Sequence, residues 1–228
     1  FVSLLGLFLV FQIVTGMFLA LHFSGDVVLS FSSMIHMVRD VSSGWLIRVL
    51  HSNGASMFFF FFFFHIGRGI YYGSYRISKT WMSGVTIFLL FMMTAFLCYV
   101  LPWAQMSFWA ATVSTNLLSA VPYVGVMMVE WVWGGFAVSN PTLTRFFAFH
   151  FVLPFVIVGL VVIHLVYLHE TGSSKPLGVI GCDSVTLHRV FSVSDVEGVV
   201  VSVFILVFVS LETPYVFMDC KNFIHSNP

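Results

Sequence analysis

Four histidines lie inside strongly apolar segments, in two pairs of identical spacing: His51 and His65, then His150 and His164, each 14 residues apart. Ionisable rings within an apolar span are rare and mark function. Along a helix, 14 residues rise about 21 Å, and four turns at about 3.5 residues each return the ring to the same face. Two such helices side by side hold two stacked cofactors within a bilayer core of about 30 Å. Imidazole is the usual axial ligand of haem iron. The pattern predicts an all-α transmembrane fold built on a four-helix bundle with two bis-histidine haems.

Only 8% of the residues are charged and 59% are hydrophobic, against about 25% charged in a soluble domain. The surface therefore faces membrane lipid. The formal net charge of zero gives no reason to expect a nucleic-acid partner. Cys98, Cys182 and Cys220 show no paired spacing, which argues against a disulfide framework or a Cys–X–X–Cys site. The unbroken run Phe58 to Phe64 reads as one lipid- and haem-facing stretch of helix. Phe1 opens directly in an apolar segment, with no charged region or cleavage signal. The chain is expected to be an internal fragment of a longer protein.

Hydropathy marks five spans: A, about Ser3–Phe23; B, about Trp45–Tyr72; C, about Trp81–Trp103; D, about Arg145–Leu168; and the short E, about Val196–Leu211. Residues 105–140 are too broken by Pro122 and Gly134–Gly135 to span. They read as a re-entrant or interfacial helical hairpin between C and D, with Trp103, Trp109, Trp131 and Trp133 suited to an interface belt. The expected organisation is a di-haem four-helix membrane domain over 1–168, an inner-face loop over 169–195, and a fifth span with the start of a truncated loop over 196–228. One span separates B from D, so they run parallel. His51 then pairs with His150, and His65 with His164. Arg48, Arg68 and Arg145 each flank a histidine on its water side, where haem propionates need cations. Arg68, Arg76 and Lys79, with no acid between B and C, mark that loop as the inner face.

Other readings predict different features. A single intramembrane histidine serves as a helix–helix hydrogen-bonding group, but two equal pairs flanked by arginine go beyond that. A proton relay would mix Asp, Glu and His, yet the apolar cores of A to D hold no acid. Gly16 and Gly84 suit close approach to a flat cofactor or ordinary small-residue packing. His22, His36 and His225 read as interfacial, and His188 has no assignment. His169, Glu170 and Asp195 are expected on one membrane face, as a proton-exchange group beside a small ligand or as solvated loop charges.

Long stretches carry a resemblance: SLLG at Ser3–Gly6, GWLIR at Gly44–Arg48, HSNGASMFF at His51–Phe59, HIGRGIYYGSY at His65–Tyr75, YVLPWAQMSFW at Tyr99–Trp109, EWVWGGF at Glu130–Phe136, TLTRFFAFHF at Thr142–Phe151 and HETGS at His169–Ser173. The chain resembles the cytochrome b family, the core subunits of ubiquinol–cytochrome c reductase, and the 14-residue spacing in D is similar to its mitochondrial and bacterial branch. The match is with the N-terminal two-thirds of the mitochondrial form.

The resemblance implies a proton-translocating quinol–cytochrome c reductase subunit with two b-type haems, multi-pass in the mitochondrial inner membrane. Quinol would be oxidised with bifurcation at an outer site and quinone reduced at an inner one. His51 and His150 would ligate the low-potential haem, His65 and His164 the high-potential one. Arg48 and Arg68 match propionate contacts. Ser3, His169, Ser173 and Asp195 match the inner quinone site, Asp195 after one deletion in the loop. Phe96, Tyr99, Met106, Trp109 and Ala110 match the outer quinol site, with Gly134 and Gly135 in a nearby loop. Implied partners are a Rieske-type iron–sulfur subunit, a c-type cytochrome and a second copy in a homodimeric complex, with ubiquinone and ubiquinol as substrates. The alternatives are another di-haem membrane anchor of a quinone-linked dehydrogenase, or a haem-free transporter with inverted repeats.

The sequence also departs from the family. Val2 and Cys98 stand where it has haem-facing glycines, and Ala104 and Ala110 also replace usual glycines. Its Pro–Glu–Trp–Tyr loop and first amphipathic helix have no counterpart in the sequence. The extra methyl of Ala110 is expected to narrow the outer pocket and weaken rigid inhibitors while turnover is kept. Ala110→Gly should then restore inhibition; unchanged inhibitor affinity would overturn the expectation.

Overall fold

The computed structural model describes residues 1–174 and 186–227. Its helices are α1 (Val2–Ala20), α2 (Ser30–Arg39), α3 (Gly44–Tyr71), α4 (Ser78–Val100), α5 (Gln105–Asn116), α6 (Gly125–Trp133), α7 (Asn140–Thr171) and α8 (Ser192–Glu212). Among the described residues, five stretches are long and apolar enough to cross a membrane: α1, α3, α4, α7 and Leu187–Glu212, which contains α8. The five expected spans are present with shifted ends. α4 stops at Val100 because Pro102 disfavours helical geometry at the residue before it. α7 starts at Asn140, with Pro141 in the first turn, where its missing N–H is harmless. Inside α7, Pro154 removes the backbone donor that would have reached the His150 carbonyl.

The hairpin of short helices between α4 and α7 is formed by α5, a 3-10 turn at Leu117–Ala120, and α6. Two features differ from the sequence reading. Residues 30–39, left without structure there, form α2. Phe31, Met34, Met37 and Val38 follow helical spacing and are buried or half-buried, but ten residues are too few to register as a span. The end of the chain, read as loop, makes a 3-10 turn at Cys220–Phe223. The expected inner-face loop 169–195 lies partly outside the described residues, as does Cys182; α8 begins within its last residues.

The chain divides into two compact units. The first contains Phe1–Met17, Leu46–Leu89 and Val156–Phe217. Here α1 packs on α3 through Phe8 and Phe61, with ring centroids 5.4 Å apart, and Phe1 stacks on Phe64. The phenylalanine run divides between an inward and an outward face. Phe58, Phe61 and Phe62 are buried, while Phe60, Phe63 and Phe64 are exposed, as a period of 3.6 requires. Polar contacts tie the helices together. Ser3 Oγ donates to Asp195 Oδ1 at 2.7 Å, Gln12 Nε2 to the His51 carbonyl at 3.0 Å, and Lys79 Nζ to Glu170 Oε2 at 3.1 Å. Asn53, 1% exposed, donates to Ser210 Oγ at 3.3 Å and the Pro214 carbonyl at 3.2 Å.

The second unit contains Phe18–Trp45, Leu90–Phe155 and Met218–Pro228. Its core gathers Leu97, Val100, Leu101, Trp103, Ala111, Val138, Leu143 and Phe146. Helix ends leave carbonyls that need donors, and buried hydroxyls supply them. Ser30 Oγ donates to the Leu101 carbonyl, Ser107 Oγ to Tyr99 O at 2.8 Å, and Thr142 Oγ1 to Trp133 O at 2.8 Å. At the end of α6, Gly134 takes φ +71, a left-handed conformation that glycine adopts without strain. The 219–227 segment pairs with the start of α5: Gln105 N–H donates to Ile224 O at 2.9 Å and Ser226 N–H to Trp103 O at 3.3 Å, around an antiparallel bridge between Ala104 and His225.

Asn53→Ala would leave the Ser210 hydroxyl and the Pro214 carbonyl without this donor. A loss of about 1–3 kcal/mol is expected, measured as a lower Tm of the detergent-solubilised protein.

Candidate functional site

In the first unit, His65 of α3 and His164 of α7 face each other with ring centroids 6.5 Å apart and planes at 69°. Phe62, one turn before His65, approaches it edge-on at 6.4 Å. His164 Nδ1 lies 2.9 Å from Ser83 Oγ on α4. The Ser83 hydroxyl proton is directed to the Thr80 carbonyl at 2.9 Å, so its oxygen accepts from the ring. His164 then carries its proton on Nδ1 and presents Nε2. The next residue, Gly84, is the other half of the seat: a Cβ there would lie 3.1 Å from His164 Cε1. The Thr80 hydroxyl is buried with no hydrogen-bond partner among the described residues.

His51, also in the first unit, has a similar seat on α1. Its Nδ1 lies 2.9 Å from Thr15 Oγ1, whose own proton is directed to the Phe11 carbonyl at 2.8 Å. A Cβ on Gly16 would lie 3.1 Å from His51 Cε1. Both glycines singled out in the sequence therefore press on a histidine ring. In the second unit, His150 Nδ1 donates to the main-chain carbonyl of Thr94 at 3.0 Å. Cys98, one turn further along α4, brings its Sγ within 4.8 Å of a His150 ring nitrogen. Thr15, Ser83 and Thr94 were missed in the sequence reading. Two of them were signalled there, because each hydroxyl immediately precedes a flagged glycine.

The arginines divide. Arg48 lies on α3 one turn before His51. The Arg68 guanidinium sits over the Tyr72 ring, 5.4 Å from its centroid. Arg145, expected at a propionate, directs Nη1 to the Trp131 and Val132 carbonyls at the end of α6 and lies over the Trp131 ring at 6.0 Å. In this structure it caps α6.

Of the inner-site residues, Ser3 and Asp195 are joined directly across 192 positions of sequence. Glu170 is held by Lys79, whose ammonium also lies 5.7 Å from the Tyr167 ring centroid. His169 lines a shallow apolar groove with Val162, Leu165, Val166 and Glu170. Ser173 is exposed just beyond α7. The outer-site residues all lie in the second unit. Phe96 meets Phe146 edge-on at 5.9 Å, and the Ser107 hydroxyl binds the Tyr99 carbonyl. Tyr99 and Trp109 are exposed, and Met106 and Ala110 are half-buried on α5. Val2 is 50% exposed at the start of α1.

Residues 1–172 match the family model described as Cytochrome b/b6/petB. A chain from a structure described as a hyperthermophilic respiratory complex III is similar, with 26% sequence identity and a TM-score of 0.88. The match covers 99% of this chain and 62% of that one, so this chain spans less than two-thirds of that relative's length.

A branched side chain at Gly84 should push the His164 ring out of its seat. Gly84→Val is expected to lower the haem bound per chain, read in a pyridine haemochrome assay. Undiminished haem would show that the seat is not needed.

Proposed function

Because the chain belongs to the cytochrome b/b6 family, we propose that it is the electron-transferring cytochrome b subunit of a quinol–cytochrome c oxidoreductase. The proposed reaction is bifurcated quinol oxidation at an outer site, electron transfer across the membrane and quinone reduction at an inner site, coupled to proton translocation. Haem, when bound, supplies the one-electron redox chemistry that this division of electrons requires.

One observation carries the reading: the 6.5 Å between the His65 and His164 ring centroids. A metal–imidazole bond is about 2 Å. Adding about 1.1 Å from nitrogen to ring centre, two rings on opposite sides of one metal stand about 6.2 Å apart. The two rings already have the separation of a bis-imidazole pair. The rest of the seat fits the same group. The tautomer at His164 leaves Nε2 as the ligating atom, and hydrogen-bonded Nδ1–H is the usual support for a metal-bound histidine. Gly84 keeps a side chain away from the ring, and the buried Thr80 hydroxyl is an available polar partner. The assignment of His51 and His150 to a second haem rests on their equal spacing in the sequence.

Around this core the residues have distinct tasks. Arg48 and Arg68 hold propionate charge at the membrane edge. Ser3, Asp195, His169 and Ser173 bind a quinone head group at the inner site. Asp195 and His169 carry the exchangeable protons there, and the Ser3–Asp195 hydrogen bond supports this grouping. Phe96, Tyr99, Met106, Trp109 and Ala110 form an aromatic and apolar wall for the outer quinol. The partners are a Rieske-type iron–sulfur subunit, a c-type cytochrome and a second copy of the chain. The site of action is the mitochondrial inner membrane, and the quinone is ubiquinone.

Redox titration of absorption in native membranes tests this. Two low-spin b-type haems with separated potentials are expected, and His65→Ala should remove one of them. Absence of haem in the unaltered protein would overturn the proposal in favour of a haem-free transporter.

A further inference from the structure

α1 and α4 carry the same two-residue device. In Thr15–Gly16 and in Ser83–Gly84, a hydroxyl meets the Nδ1 of a span histidine at 2.9 Å. The following glycine in each brings its backbone against Cε1 of the same ring. Each hydroxyl proton is already directed to a carbonyl of its own helix, Phe11 for Thr15 and Thr80 for Ser83. Each oxygen is therefore an acceptor towards the ring. The ring cannot rotate towards the glycine without meeting backbone, and it cannot flip without losing its acceptor. His150 differs, because its acceptor is the Thr94 main-chain carbonyl, which no side-chain substitution deletes.

We propose that Ser83 is a positioning and tuning residue of His164. It locks the proton on Nδ1, fixes the ring plane and so commits Nε2 to the metal. Its hydrogen bond also increases electron donation by the imidazole, since an acceptor on the outer nitrogen of a ligating histidine raises the ligand's basicity. Stronger donation favours the oxidised iron and lowers the potential of the haem that His65 and His164 hold. The inference rests on the bis-histidine reading above and adds to it a residue that shapes the inner-side haem's potential and ligand orientation.

The test uses the complete complex in native membranes, comparing the unaltered protein with Ser83→Ala and Ser83→Thr. The haem held by His65 and His164 is identified as the one lost in Gly84→Val. In Ser83→Ala that haem should become easier to reduce. Its reduced-to-oxidised ratio at a fixed ambient potential should rise several-fold, and its low-spin electron paramagnetic resonance signal should move. The other haem should keep its potential and signal. Ser83→Thr, which retains the hydroxyl, should restore both readouts. Loss of this haem in Ser83→Ala with retention in Ser83→Thr would equally support a positioning role. The proposal is overturned if Ser83→Ala moves neither readout, if both haems shift together, or if threonine behaves like alanine. Absence of haem from the unaltered protein would instead remove the bis-histidine reading itself, and this inference with it.

Discussion

A histidine ring inside hydrocarbon has two nitrogens to satisfy, and no water is at hand to do it. In this chain, three of the four span histidines have Nδ1 held by an oxygen on a neighbouring helix: Thr15 for His51, Ser83 for His164 and the Thr94 carbonyl for His150. Each hydrogen bond fixes a tautomer, and the fixed tautomer leaves Nε2 as the atom that can bind a metal. In the proposed bis-histidine reading, these helix contacts also orient the ligands. α4 supplies an acceptor to each of the two α7 histidines, and the glycine seats of α1 and α4 exist because the rings stand where a Cβ would be crowded.

The same requirement, that every buried polar group find a partner, organises the shorter elements. Where α4 and α6 end, buried serine and threonine hydroxyls take up carbonyls that the helices leave open. Ser30, Ser107 and Thr142 are at most 1% exposed, and each donates to such a carbonyl. Trp133 Nε1 donates to Thr115 Oγ1 at 2.6 Å, so an indole also contributes to this polar lining. These contacts hold α5 and α6 firmly beside the end of α4, where the residues of the proposed outer quinol wall lie.

Much of this could be read from the chain before folding. The five spans follow from apolar runs that nothing but a membrane or a protein interior accommodates. The paired spacing of the histidines follows from helical geometry, because 14 residues bring a side chain back to nearly the same face. Gly16 and Gly84 were legible as close-approach sites, though the sequence does not say that the object approached is an imidazole edge. α2 was not legible as a span, since its apolar residues support packing but not crossing. The pairing of residues 224–226 with residues 103–105 was hidden as well, because backbone hydrogen bonds carry no side-chain signature.

The sequence by itself determined the medium and the five long spans, and it pointed to imidazole as the ligand type. Composition and periodicity act locally, through the burial of each side chain and the pitch of each helix. Which oxygen holds each ring was decided only by tertiary structure. The chain contains many serines and threonines in apolar surroundings, most of which bond back to their own helix. Thr15 and Ser83 do so too, and they differ only in facing a ring across a helix contact. The 192-residue link from Ser3 to Asp195 and the turning of Arg145 to the end of α6 have the same origin. They depend on how separate helices are brought side by side, and a hydrogen bond acts only over the last few ångströms.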